Sequence, residues 1–219
     1  MRVLVVTAVP AERDAVTRAC AEAAAEAAFD TVVGGVGPAS AAAATATALA
    51  RTPSPYDLVV SAGIGGGFAP LAPVGSLVVA SRIVAADLGA DTPDGYLDVE
   101  ELGFGRSVHL PPAGLAEAIA AATGAAYAPV LTISTVTGTA GRAAALTQRH
   151  PGAGAEAMEG FGVAEAAALH GIPVVEIRAV SNAVGPRDRS AWRIGDALAA
   201  LTDAFGKLPP VLESWNGHD

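Results

Sequence analysis

The sequence predicts an α/β fold, a three-layer sandwich in which a central mixed sheet is flanked by helices. Two observations carry this expectation. Apolar, β-branched runs alternate with Ala-rich helical segments along nearly the whole chain. Of the 219 residues, 52% are hydrophobic and only 16% charged, enough apolar material for one sizeable core, so a single domain is expected over 1–219.

The run at 3–7, VLVVT, is β-branched and ends at a Pro-containing loop. Residues 11–28 follow with Ala-rich helical character and Glu12, Arg13 and Asp14 in the first turn, a strand–loop–helix opening. A strand at 31–36 leads into Gly37 and Pro38, and the Ala content of 39–50 gives that segment high helix propensity. Residues 56–62 read as a strand that runs straight into the glycine-rich GIGGG at 63–67. Another strand is expected at 75–84, and 85–110, mixed in Gly, Asp and Pro, reads as a long functional or mobile loop. The remainder predicts helix at 115–122, strand at 129–136, helix at 140–148, strand at 155–158, helix at 161–170, strand at 174–180 and a final helix at 194–205. In such folds ligands lie where strand carboxyl ends meet loops, here the loops after Val6, Ala62, Ile133, Met158 and Val180.

Composition removes several function classes. No apolar run approaches the roughly 18 uninterrupted residues of a membrane span, and the opening MRVLVVTAVP reads as a buried strand rather than a signal peptide, so a cytoplasmic location and no membrane partner are expected. Cys20 is the single cysteine, which excludes an internal disulfide, a thiolate zinc site and a CxxC pair; it is expected to pack within a helix. A net charge of −9 argues against nucleic acid and for a small-molecule partner. His109, His150, His170 and His218 are scattered without ligand spacing, so no metal and no cofactor are expected.

Polar residues at strand ends are the candidate functional groups. Glu159 stands between a short strand and a helix, where it is either a ligand-facing carboxylate or an acid complementing the helix dipole. The same two readings apply to Glu12. Asn182 follows the strand VVEIRAVS directly, as a turn residue or a binding amide. Gly63, Gly65, Gly66 and Gly67 allow backbone N–H groups close to a ligand, but the spacing is neither a dinucleotide fingerprint nor a phosphate loop. In STVTGTAG, Gly138 and Thr139 sit where either a ligand contact or a polar strand-to-helix connection with a helix cap is expected.

Taken together, the opening strand with Glu12, the block SAGIGGGFAPLAPVGSLVVA at 61–80, AMEGFGVA at 157–164 and EIRAVSNAVGPRDR at 176–189 resemble the purine nucleoside phosphorylase and hydrolase superfamily, and within it the bacterial nucleosidase branch. The resemblance covers most of the chain, in the expected order and spacing. It implies a nucleoside phosphorylase/hydrolase-like fold and cleavage of an N-glycosidic bond. It also implies a general base at Glu12 assisted near the attacking water by Arg178, ribose binding by Glu159 with Met158 against the sugar face, and base binding by Asn182 with backbone around Gly138 and Thr139. Gly65 and Gly66 would line the ligand site.

Methylthioadenosine/adenosylhomocysteine nucleosidases, as the resemblance has it, carry Asp where this chain has Asn182. An amide offers an NH2 donor without changing protonation, which suits a 6-oxopurine presenting O6 and N7 as acceptors. Asn182 with the following VGPRDR resembles the futalosine-cleaving subfamily, whose substrate is a hypoxanthine nucleoside of a menaquinone pathway. Ile64 and Ala157 depart from the Ser and Glu common in the methylthioadenosine branch, and a phosphorylase-type arginine site near the N-terminus is missing from the sequence, which favours water as nucleophile. Arg187, Asp188 and Arg189 either meet a carboxylated substrate tail or form a solvated loop. The superfamily also implies a homo-oligomer, with 85–110 as the candidate contact with a neighbour's site. Two other readings remain open at this point, a methylthioadenosine/adenosylhomocysteine nucleosidase and a non-catalytic nucleoside-binding module.

Overall fold

Val3, Leu4, Val5 and Val6 are all buried, so the first strand carries apolar side chains on both faces, as a strand does inside a sheet covered on both sides. The structure is a computed structural model that describes residues 1–22, 28–215 and 217, without the side chains of 20–22. In chain order its elements are β1 (Arg2–Thr7), α1 (Pro10–Glu22), β2 (Ala28–Val33), α2 (Pro38–Arg51), β3 (Leu58–Gly67), β4 (Leu77–Ala85), β5 (Gly89–Thr92), β6 (Gly95–Asp98), β7 (Val108–His109), α3 (Ala113–Thr123), β8 (Ala126–Thr132), α4 (Ala140–Arg149), β9 (Ala155–Ala157), α5 (Gly160–Leu169), β10 (Val174–Ala183), α6 (Ile194–Gly206) and α7 (Leu208–Ser214).

The sheet is mixed and forks at its longest partner. Along one edge of β3, β1 pairs in parallel with the amino-terminal half, and β9 pairs antiparallel with Gly66 and Gly67. The other edge pairs in parallel with β10. From β10 the ladder continues antiparallel to β4, then parallel to β8 and parallel to β9, so β3, β10, β4, β8 and β9 close a ring, with β1 and β2 extending from it.

Helices cover both sides. Ala15 and Val16 of α1, Ile119 of α3, Leu201 and Phe205 of α6 and Leu212 of α7 pack on Val3, Val60 and Ile177. On the opposite side Ala41 and Leu49 of α2 and Phe161, Val163 and Ala167 of α5 pack on Leu4, Val59, Val78 and Val174. The expected three layers and mixed sheet are therefore present.

Several expected boundaries change. The helix expected to 28 is described only to Glu22, and Ala28 already opens β2, pairing with Arg2. Residues 23–27, the Cys20 side chain and His218 lie outside the described residues. GIGGG belongs to β3 rather than to a turn. The strand expected at 129–136 lies earlier, as β8. The stretch expected as a loop at 85–110 contains the β5–β6 hairpin and β7. Helix α7 and a 3-10 turn at Arg189–Ala191 were without an expected counterpart. Among the described residues no helix is long and apolar enough to cross a membrane.

Candidate active site

The carboxyl ends of β1, β3, β9 and β10 converge on a cleft of about 280 Å³, lined among others by Glu12, Ile64, Gly65, Gly66, Glu156, Met158, Glu159, Asn182 and Trp192. Glu12 enters from the first turn of α1 and is only 3% exposed. Its Oε2 accepts the backbone N–H groups of Ala8 at 2.9 Å and Val9 at 3.2 Å, and its Oε1 accepts that of Ile64 at 2.9 Å. Three backbone donors, two from the β1–α1 loop and one from β3, set the direction of the carboxylate.

Glu159 closes the next part of the wall. It occupies the N-cap position of α5, but its side chain caps nothing there. Thr132 Oγ1 instead accepts the Phe161 N–H at 2.8 Å, which frees the Glu159 carboxylate. That carboxylate accepts from the Gly37 N–H at 3.3 Å, the Met158 N–H at 3.3 Å and Arg178 Nη1 at 3.2 Å. Arg178 is 1% exposed and sits behind the cleft wall, donating also to Glu176 Oε1 at 2.9 Å and Ser61 Oγ at 2.9 Å. Burial works against its charge, but Glu176, Glu159 and Glu12 outweigh that and raise its pKa above the ordinary value. Glu176 is fully buried, and its Oε2 has no hydrogen-bond partner among the described residues.

The opposite side of the cleft comes from β9 and from the end of β10. A β-bulge falls between Val180 and Asn182, where the register with β3 shifts. Past it, Asn182 lies half-buried on the cleft. Its Oδ1 accepts from Ser181 Oγ at 2.9 Å, and its Nδ2 donates to the Ala183 carbonyl at 3.1 Å, leaving a second amide hydrogen. On β9, Glu156 is 5% exposed; its Oε1 accepts the Thr137 N–H at 2.9 Å and its Oε2 the Thr137 hydroxyl. Burial pushes the Glu156 carboxyl up, opposed by those two hydrogen bonds and by Arg142.

With this geometry in hand, likeness to known proteins is informative. Residues 31–209 match the Phosphorylase superfamily. The chain is 65% identical over 234 aligned residues to the futalosine hydrolase of Streptomyces coelicolor, covering 100% of both chains. To the futalosine hydrolase of Acidothermus cellulolyticus it is 46% identical over 220 residues, covering 94% of this chain and 89% of that one. The chain belongs to the futalosine hydrolase family within the phosphorylase superfamily. Among solved structures, futalosine hydrolase of Helicobacter pylori superposes with a TM-score of 0.79 at 13% identity, covering 98% of each chain. The methylthioadenosine/adenosylhomocysteine nucleosidase of Neisseria meningitidis, solved with methylthio-immucillin-A, gives 0.78 at 19% identity, covering 98% of this chain and 99% of that one. At those identities the structural likeness concerns the fold.

In this member of the futalosine hydrolase family, the sequence-derived candidates divide into three groups. Glu12, Gly65, Gly66, Met158, Glu159 and Asn182 are brought together along one cleft. Arg178 adjoins it from behind, its donors directed at carboxylates and Ser61. Gly138 and Thr139 are exposed and outside the cleft lining; Thr139 Oγ1 caps α4 by accepting the Arg142 N–H at 3.2 Å, and the Gly138 carbonyl accepts the Arg187 N–H at 3.3 Å. Sequence reasoning missed Glu156 and Trp192. Glu156 does have a signal, a carboxylate in an otherwise apolar run, AEA, two residues before Met158. Among the described residues no group of three or more His, Cys, Asp and Glu is arranged to hold a metal ion.

Proposed function

We propose that this chain is a futalosine hydrolase that cleaves the N-glycosidic bond of futalosine to hypoxanthine and dehypoxanthine futalosine, in menaquinone biosynthesis. The observation that carries the reading is one cleft holding a carboxylate fixed by three backbone donors, Glu12, and an uncharged amide, Asn182. The full-length likeness to futalosine hydrolases supports it. One domain over 1–219, a cytoplasmic location and homo-oligomeric assembly belong to the same proposal.

In this reading Asn182 donates its free amide hydrogen to N7 or O6 of the base, so the charge that develops as C1′–N9 breaks meets a fixed donor. The bond electrons leave with the base, which takes up a proton from solvent. The oxocarbenium-like ribose is attacked by a water whose oxygen bonds to C1′ and whose proton passes to Glu12. Glu159 accepts hydrogen bonds from ribose hydroxyls and places negative charge near the forming cation, and the Met158 thioether fills the sugar face without competing for those bonds. Gly65 and Gly66 let the substrate lie close on the backbone of β3. Arg178 is a positioning residue here: it holds Glu159 and offsets the buried carboxylates instead of touching the water.

The test is base release from futalosine, inosine and methylthioadenosine in phosphate-free buffer, for the wild type and for Glu12→Gln. Hypoxanthine from futalosine, reduced about 100-fold or more in the variant, is the expected result. Adenine from methylthioadenosine with no hypoxanthine from futalosine, or release that needs phosphate, overturns the reading.

A further inference from the structure

Glu156 is a buried carboxyl on the wall of the cleft, and the steps above give it no role. Among the described residues no Lys, Arg or His forms an ion pair with it. A buried carboxyl without an ion-pair contact costs stability, and sites are where such costs are retained. Among the described residues it accepts two hydrogen bonds, from the Thr137 N–H and hydroxyl, one to each oxygen, so each oxygen keeps a lone pair. Thr137 thereby fixes the side chain without exhausting it.

The strand register places this carboxyl opposite the amide already assigned to the base. Gly66 of β3 pairs with Glu156 of β9 on one edge and with Asn182 of β10 on the other. Laterally paired residues project to the same face of a sheet, and two strand spacings amount to about 9.6 Å. The residue between them is a glycine, and a Cβ there would lie 3.3 Å from Asn182 Nδ2 and 2.9 Å from Val184 Cγ2. The row Glu156, Gly66, Asn182 is thus two polar side chains flanking a residue that adds none, all three lining the cleft. Any side chain at 66 would press on the Asn182 amide and on Val184.

We propose that Glu156 is a specificity-determining residue that accepts the N1–H of a 6-oxopurine while Asn182, across Gly66, binds its O6 or N7. This deepens the futalosine hydrolase reading and rests on it. Along that edge a 6-oxopurine presents acceptor, acceptor and donor, at N7, O6 and N1. A 6-aminopurine presents acceptor, donor and acceptor. Asn182 alone discriminates weakly, because an amide that turns over exchanges its donor for an acceptor. An ionised carboxylate has no hydrogen to offer, so it matches N1–H and sets lone pair against lone pair with adenine N1. An incoming N–H donor also favours the ionised form against the burial that opposes it. Thr137, which touches no base in this arrangement, positions Glu156.

Calorimetry with hypoxanthine, 1-methylhypoxanthine and adenine on the wild type and on Glu156→Gln tests this directly, and kcat/KM for futalosine and its 6-amino analogue gives a second readout. In the wild type hypoxanthine should bind at least about tenfold tighter than either other base, the worth of one buried unpaired group. In Glu156→Gln the preference for hypoxanthine over adenine should fall about tenfold or more, with a parallel fall in the kcat/KM ratio. Wild-type binding of 1-methylhypoxanthine as tight as that of hypoxanthine overturns the proposal. So does a variant that weakens all three bases equally, the signature of a purely structural Glu156. Failure of the wild type to cleave futalosine counts against the enzymatic reading instead, and the base-binding series still decides the role of Glu156.

Discussion

A methyl group on Gly63 has nowhere to go. Its Cβ would lie 2.6 Å from Glu12 Oε1 and 2.8 Å from Arg178 Nη1, between the proposed base and the cation behind it. Both neighbours are buried ions held by several hydrogen bonds, so relief by moving either one is costly. Gly63→Ala should therefore lower kcat about 100-fold, because a displacement on the order of 1 Å misplaces the water that Glu12 must hold. Steady-state rates with a melting curve check this, and an unchanged kcat in a folded variant removes Glu12 from the positioning role given to it. At this scale the sequence was informative where a polar residue ends an apolar run, as at Glu12, Glu159 and Asn182. Its signal for Glu156 was only a lone carboxylate in AEA, because that strand is three residues long and the partner Thr137 is 19 positions away. Arg178 was a candidate in the sequence, but its place behind the wall depends on Glu176, Glu159 and Ser61, which only folding brings to it.

Among the elements, α4 separates a capping role from a binding one. Thr139 has extended backbone angles, φ −137° and ψ 151°, and its hydroxyl accepts the Arg142 N–H, as an N-cap residue does. Thr139→Ala should cost about 1 kcal/mol of stability and leave KM and kcat for futalosine within about twofold, measured by urea unfolding beside steady-state kinetics. A large rise in KM would return Thr139 to the cleft. Helices and central strands were legible because their apolar and Ala-rich runs are long. The glycine-rich end of β3 was not, since glycine is depleted in strands and the run reads as a turn. Its strand conformation follows from packing, with side chains at 63, 65 and 66 colliding with Glu12, the Glu156 carbonyl and Val184. The β5–β6 hairpin was missed because its strands are four residues each, with alternate residues exposed and no apolar run.

At the scale of the whole molecule, the layer order follows from alternating elements, whereas closure of the sheet through β3 and β10 joins segments more than a hundred residues apart and has no local signature. Arg178 stands at that closure. It projects from β10, donates to Ser61 on β3, and reaches Glu159 at the start of α5 as well as Glu176 on its own strand. Arg178→Met removes the cation and leaves two buried carboxylates, a change worth about 3–5 kcal/mol when one partner of a buried pair is lost. Arg178→Lys should fall between, because an ammonium keeps the charge but cannot span three acceptors with a fixed fork. The loss depends on pH with a definite sign. Burial raises the folded-state pKa of Glu176 above its ordinary 4.5, and Arg178 opposes that rise. Without Arg178 the folded carboxyl takes up a proton more readily than the unfolded one, so stability falls as pH rises through the raised pKa and recovers as pH drops toward 4.5. Urea midpoints for Arg178→Met should therefore trail the wild type most at neutral and alkaline pH and approach it on acidification. A deficit independent of pH would assign the loss to packing instead of to the uncompensated carboxylates.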